Sequence, residues 1–226
     1  MSRPDTLSDH DSALLDELVA AAHEAHTERL LVSTSGNLSA RLESGDRIAI
    51  SATGARLGEL QRTELVCASI SDGKPLPGVL SESSGTRASS ETPFHTTIYR
   101  EFPDIRAVLH CQSFAATYFA CLDGPMPDFN VIPEVPVYVG KVARVPFIAP
   151  NTQELGDDIA AALREPGAGL VQLGNHGQVF VGGSPRKVVQ SAAFFELACR
   201  LCLMSESRGS LRRFTPEEID LLEGYR

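Results

Sequence analysis

The sequence contains no uninterrupted apolar run long enough to cross a bilayer. It has no surplus of base either: 20 lysines and arginines stand against 29 aspartates and glutamates, for a formal net charge of −9. Nucleic acids and anionic membrane surfaces favour basic proteins, so neither is an expected partner. A phosphorylated small molecule held in a local pocket remains compatible with that balance. Cysteines are few, five in all and odd in number. The opening stretch MSRPDTLSDHDSALLDELVAA starts polar and turns amphipathic, so no export leader is read there. Together these features predict reduced thiols and a cytoplasmic protein. Cys199 and Cys202 have the CxxC spacing, but they lie in the apolar stretch AAFFELACRLCLM with no second such pair, so packing is their expected role. Walker motifs, internal repeats and domain linkers are absent from the sequence.

What is present suits one globular domain. The 226 residues, 42% of them hydrophobic, can bury a substantial core. We read a single domain over 1–226, with its core at about 10–205 and a polar tail over 206–226. Leu14, Leu15, Leu18, Val19 and Ala22 recur at helical spacing and predict an amphipathic helix over 12–30. RIAIS (47–51) and LVCASIS (65–71) read as strands. Residues 71–90 are rich in Ser, Gly and Pro, a long loop or one hiding a short strand near PGVLS. Thr92 is placed to cap a helix and Pro93 to take its first position, with Phe94, Ile98 and Phe102 on one face of 92–102. IRAVLH (105–110) is apolar on both faces and predicts a central strand. Ser113 is placed to cap a short helix, ARVPFIA (143–149) to form a strand, and Thr152 to cap a further helix. GLVQLGNHGQVFVGG reads as a hairpin, and Ser184-Pro185 opens a long helix to about Ser205. The tail holds one more short helix, PEEIDLLEGYR. Strands and helices intermix without a strict βαβ rhythm, which predicts an α/β architecture with a mixed or antiparallel sheet covered by helices.

Of six histidines, His10, His23 and His26 fall on or before the polar face of the first helix, where a solvated surface role is expected. His95, on the 92–102 helix, reads as half buried. His110 and His176 each end or break a strand at a loop, where binding groups concentrate. With Glu91, just ahead of a helix, they compose a candidate two-histidine, one-carboxylate metal site. Taken alone, a strand-end histidine such as either of these reads as a structural residue. Small polar turns at Ser35-Gly36-Asn37, Thr53-Gly54 and Ser89-Ser90 compose a second constellation, of the kind that presents backbone N–H groups and hydroxyls to a phosphate.

STSGNLSAR (33–41), ISATGARLGEL (50–60), SSETPFHTTIYREFPDIRAVLH (89–110) and GNHGQVFVGGSP (174–185), in that order, resemble the class II aldolase/adducin family. The resemblance implies a three-layer α/β/α sandwich about a largely antiparallel sheet, and a homotetramer with active sites at subunit interfaces. It implies a divalent metal, zinc in the family, held by His110 and His176. It makes Glu91 both the acid/base and a ligand when substrate is absent. It assigns phosphate binding to Thr34, Gly36, Asn37, Thr53, Gly54, Ser89 and Ser90, and points to Tyr225 as a contribution from the C-terminus.

The chain departs from the family where a His-x-His pair is expected. Here the residues are His110-Cys111-Gln112, so Gln112 takes the place of the second imidazole. An amide oxygen is a neutral, harder donor, which shifts preference towards Mn²⁺ or Mg²⁺, unless the metal is held by the other three groups or lost. Cys111 is a poor substitute because neighbours on a strand point to opposite faces. The family's loop tyrosine is also missing: Phe129 and Asn130 stand near its place and Tyr138 lies further on. The expected activity is metal-dependent carbon–carbon lyase chemistry, of aldolase type, on a small phosphorylated hydroxy-carbonyl compound through an enediolate. The alternatives are a decarboxylase, epimerase or dehydratase on the same fold, or a non-catalytic adducin-like scaffold.

Overall fold

The computed structural model describes residues 7–43, 46–80, 86–205 and 209–225. Seven strands form one sheet: β1 (Asn37–Arg41), β2 (Arg47–Ser51), β3 (Leu65–Ser69), β4 (Ala107–Cys111), β5 (Lys141–Val145), β6 (Ala168–Leu173) and β7 (Gly177–Gly182). Their order is β3-β2-β1-β4-β7-β6-β5. Every neighbouring pair is antiparallel except β5 with β6. The sheet is therefore mixed and largely antiparallel, as expected.

Helices cover both faces. On one side lie α1 (Asp9–Thr27), α3 (Phe114–Ala120) and α5 (Pro185–Ser205), packed on a core that includes Leu18, Leu38, Leu109, Phe180 and Phe195. On the other lie α2 (Thr92–Glu101) and α4 (Gln153–Leu163), over Ile50, Ile98, Val108, Ile159 and Val171. Strand alternation divides the residues between the two cores. In β4, Leu109 and Cys111 face the first and Val108 the second. β4 is the middle strand and wholly buried, which is why it is apolar on both faces. α5 has the length and mean apolarity of a membrane span, although Glu196 and Arg200 interrupt its apolar run, as the reading of the sequence had it. It packs against α1, α3 and β7 as a core helix, with Glu196 buried in it.

Several local expectations are corrected. β5 ends at Val145, before the expected 143–149, because Pro146 has no N–H for the ladder. β3 ends at Ser69, where Ser69 N–H donates to the Lys74 carbonyl around the Asp72-Gly73 turn. Thr92 is the first helical residue of α2, not its cap; Glu91 holds the cap position and Thr92 Oγ1 donates to the Ser89 carbonyl. Ser113 sits at the cap of α3 without a capping hydrogen bond. The Glu196 carboxylate does that work from α5, accepting from Ala115 N–H at 3.1 Å and Ala116 N–H at 3.0 Å. Thr152 caps α4 as expected. In the 71–90 loop, Leu76, Val79 and Leu80 pack on the core, and residues 81–85 lie outside the described residues. The last helix, α6 (Pro216–Glu223), starts with a Thr215–Glu218 capping box.

Candidate metal centre

Three chain segments meet at one end of the sheet. β4 carries His110, the β6–β7 turn carries His176, and the N-terminus of α2 carries Glu91. The turn comes close because Gly177 has no side chain. A Cβ there would lie 2.5 Å from the Cys111 carbonyl oxygen and 2.7 Å from Gln112 Cγ. Asn175 adopts the left-handed φ of 52° that closes the turn.

His110 is 1% exposed. Its Nδ1 lies 2.9 Å from the Gln178 carbonyl oxygen. A carbonyl only accepts, so Nδ1 carries the proton and Nε2 keeps its lone pair. That Nε2 is buried without a hydrogen-bond partner and lies 3.5 Å from Glu91 Oε2. His176 Nε2 lies 3.4 Å from Glu91 Oε1, and the two imidazole centroids are 4.8 Å apart. Burial, then the neighbouring His110, depress the His176 proton affinity against the pull of Glu91. A buried lone pair facing a carboxylate oxygen calls for a cation or a proton between them. The candidate ligand atoms of Glu91, His110 and His176 all lie within 4.8 Å of one another. Two imidazole nitrogens and one carboxylate oxygen fit a divalent transition metal.

The surrounding pocket, about 240 Å³, brings together the separated turns of the sequence. Thr34, Gly36, Asn37, Thr53, Gly54, Ser89 and Ser90 line it with Glu91, His110, Gln112 and His176. No lysine or arginine lines it among the described residues. Gly36 has φ of +88°, and a Cβ there would meet the His110 carbonyl oxygen at 2.8 Å, so this position needs glycine twice over. Cys111 points away into the helix-covered core, where burial raises its thiol pKa far above the ordinary range. Tyr225 does not line the pocket of this chain; it is exposed after α6. Phe129 is a core residue packed on Phe119 and Phe195, and Tyr138 stacks on Phe194.

Two features escaped the reading of the sequence. Pro150 and Asn151 also line the pocket, Asn151 in a left-handed conformation with φ of 64°. Asn ahead of the Thr152 cap was the available signal. His95, read as half buried, is wholly buried and bonds to both Ser39 and Asn37. The spacing of Glu91, His95 and Tyr99, four residues apart on one helix face, was the signal there.

Residues 16–203 match the class II aldolase and adducin N-terminal domain, and the chain belongs to that family. It is 33% identical over 189 residues to 3-oxo-tetronate 4-phosphate decarboxylase of Pectobacterium atrosepticum, covering 82% of this chain and 81% of that one. The decarboxylase of the same name from Escherichia coli K12 is 31% identical over 92% of this chain and 94% of its own length. Methylthioribulose-1-phosphate dehydratase of Leptospira biflexa is 31% identical over 61% of this chain and 64% of its own length. Among solved structures, YgbL of Klebsiella pneumoniae superposes with a TM-score of 0.82 at 28% identity, covering 94% of this chain and 98% of that one.

Proposed function

We propose that the chain is a metal-dependent decarboxylase of a short phosphorylated 3-oxo sugar acid. This takes the decarboxylase alternative over aldolase cleavage. The observation that carries it is the likeness to 3-oxo-tetronate 4-phosphate decarboxylases along nearly the whole chain, with Glu91, His110 and His176 converging in a hydroxyl-lined pocket.

The residues divide the work. Thr34, Thr53, Ser89 and Ser90 with the Gly36 and Gly54 turns suit a phosphomonoester held by neutral donors. His110 and His176 would hold the divalent metal with Gln112 as a further donor, Glu91 completing the set only while substrate is absent, and the ion would supply Lewis-acid polarisation of the 3-oxo group. Zinc is the family's ion; the Gln112 amide moves the preference towards Mn²⁺ or Mg²⁺. When the carbon–carbon bond breaks, carbon dioxide leaves and the electron pair stays on the substrate as an enolate. The enolate carbon then takes one proton. Glu91, reached from solvent through the pocket mouth, gives that proton from its carboxyl and recovers it from water. Exposed Phe114 and Phe147 lie in chain segments that flank the pocket. They support a subunit interface beside the site; the homotetramer and the cytoplasmic location that the family resemblance and the sequence predict are part of the proposal.

The test offers the metal-loaded protein a 3-oxo-tetronate 4-phosphate and follows carbon dioxide and deuterium uptake at the product carbon. Carbon dioxide release that falls in Glu91→Gln, with metal still bound, supports the reading. Aldehyde fragments, loss of water, or no turnover would overturn it in favour of aldolase, dehydratase or scaffold respectively.

A further inference from the structure

A row of buried polar groups runs between β1 and α2. Asn37, Ser39 and Arg41 share one face of β1, because their neighbours Leu38 and Ala40 face the opposite core. Glu91, His95 and Tyr99 share one stripe of α2 and its cap. The two rows interlock. Asn37 Nδ2 lies 2.7 Å from Glu91 Oε2, and His95 Nε2 bonds to Asn37 Oδ1. Ser39 Oγ lies 2.7 Å from His95 Nδ1 and 2.9 Å from the Tyr99 hydroxyl. Arg41 closes the end, donating to the Tyr99 carbonyl with its guanidinium 5.2 Å from the Tyr99 ring centre.

The direction of every bond in this row is fixed from its Glu91 end. The Glu91 carboxylate can only accept, so the Asn37 amide nitrogen donates to it. Asn37 Oδ1 therefore accepts, and His95 Nε2 must carry the proton. His95 Nδ1 then accepts from Ser39, and Ser39 accepts from Tyr99. Ser39 has one proton and spends it on His95, so the Tyr99 hydroxyl is the donor of the bond they share.

We infer that His95 is a positioning residue for Glu91. As the neutral Nε2–H tautomer it holds the Asn37 amide so that its NH₂, not its oxygen, meets the carboxylate. An inverted Asn37 would set an oxygen against Glu91 and push the carboxylate off the metal position. The inference rests on the proposed role of Glu91 as ligand and proton donor, but it concerns how that carboxylate is aimed, not which reaction follows.

The test separates the two. Long-range proton–nitrogen correlation on histidine-labelled wild-type protein reads the tautomer directly and needs no turnover. His95→Gln keeps a donor at the Nε2 position and loses the Ser39 acceptor; His95→Asn keeps the acceptor near Nδ1 and loses the donor to Asn37. Calorimetric titration with Zn²⁺ and with Mn²⁺ is expected to show about 10–100-fold weaker binding in His95→Asn, and His95→Gln within about threefold of wild type. With a working assay, the His95→Asn loss should fall on kcat and leave KM unchanged. A purely structural role would lower Tm equally in both variants and leave metal affinity alike in the two. That outcome, a wild-type Nδ1–H tautomer, or a protonated ring overturns the inference. Failure of the decarboxylase assay with the tautomer and affinity pattern intact overturns only the reaction.

Discussion

Nε2 of His110 and Oε2 of Glu91 face each other as two acceptors 3.5 Å apart, with the other ring nitrogen committed to the Gln178 carbonyl. Such a pair calls for a proton or a cation between its members, and with His176 Nε2 only 3.4 Å from Glu91 Oε1 the folded chain is expected to bind a divalent ion and to be stabilised by it. An ion at a hundred times its Kd contributes about 2.7 kcal/mol. For a chain of this size that is a rise in Tm of roughly 5–11 °C. Scanning fluorimetry with and without added metal checks this, and the rise should vanish in His110→Ala.

Glu91→Gln keeps the shape of the side chain and its place in the row of hydrogen bonds but cannot give up a proton on demand. Turnover should fall by about 10²–10⁴. The circular dichroism spectrum should be unchanged. Steady-state kinetics at saturating substrate and metal checks this, with metal content measured on the same samples.

Gly177 and Gly54 separate crowding from backbone strain. A Cβ at Gly177 would lie 2.5 Å from the Cys111 carbonyl oxygen and 3.3 Å from His110 Cε1. Gly177→Ala should cost about 1–3 kcal/mol through overpacking and also weaken metal binding. At Gly54 nothing lies within 4 Å of an added Cβ, but φ is +74°. Gly54→Ala should cost about 1–2 kcal/mol from the left-handed backbone alone, with metal affinity kept. Urea denaturation and metal titration on both variants give the comparison.

His95 is held neutral: burial, then the nearby His110, lower its proton affinity well below that of a free histidine. The unfolded chain therefore binds a proton that the native chain refuses. Stability from this group is complete above the unfolded value near 6.5 and is lost as pH falls below it, at up to about 1.4 kcal/mol per pH unit. His176 shifts in the same direction and adds to the slope. In metal-free protein, His95→Gln should flatten the dependence of unfolding free energy on pH between 7 and 5 by about one proton. Denaturant titrations across that range measure the slope, which is independent of any constant loss of stability in the variant.

Much of the fold was legible because the signals were local. The apolar run over Ala107–Cys111 marks a strand buried on both faces, and Asn175-His176-Gly177 marks a tight turn whatever surrounds it. The candidate site was legible as separate turns, and folding β1, β2, β4, β7 and α2 together made them one pocket. What was not legible depended on distant partners. Ser113 looks like a cap, but the Glu196 carboxylate, 80 and 81 residues along the chain, takes both N–H groups. His95 looks amphipathic on its helix until β1 is known to lie against that face with Asn37 and Ser39 turned towards it. Membrane-like apolarity in α5 reflects its seat against the sheet, a property of packing that composition does not report.

Glu91, His110 and His176 are expected to hold one divalent ion between them. Metal content by mass spectrometry, on protein purified without chelator and dialysed against Zn²⁺ or Mn²⁺, tests it most directly. One ion per chain is expected in the wild type and under a tenth of that in a His110→Ala/His176→Ala double variant that still folds. Equal metal in the wild type and the double variant, or none in the wild type with either ion, would contradict it.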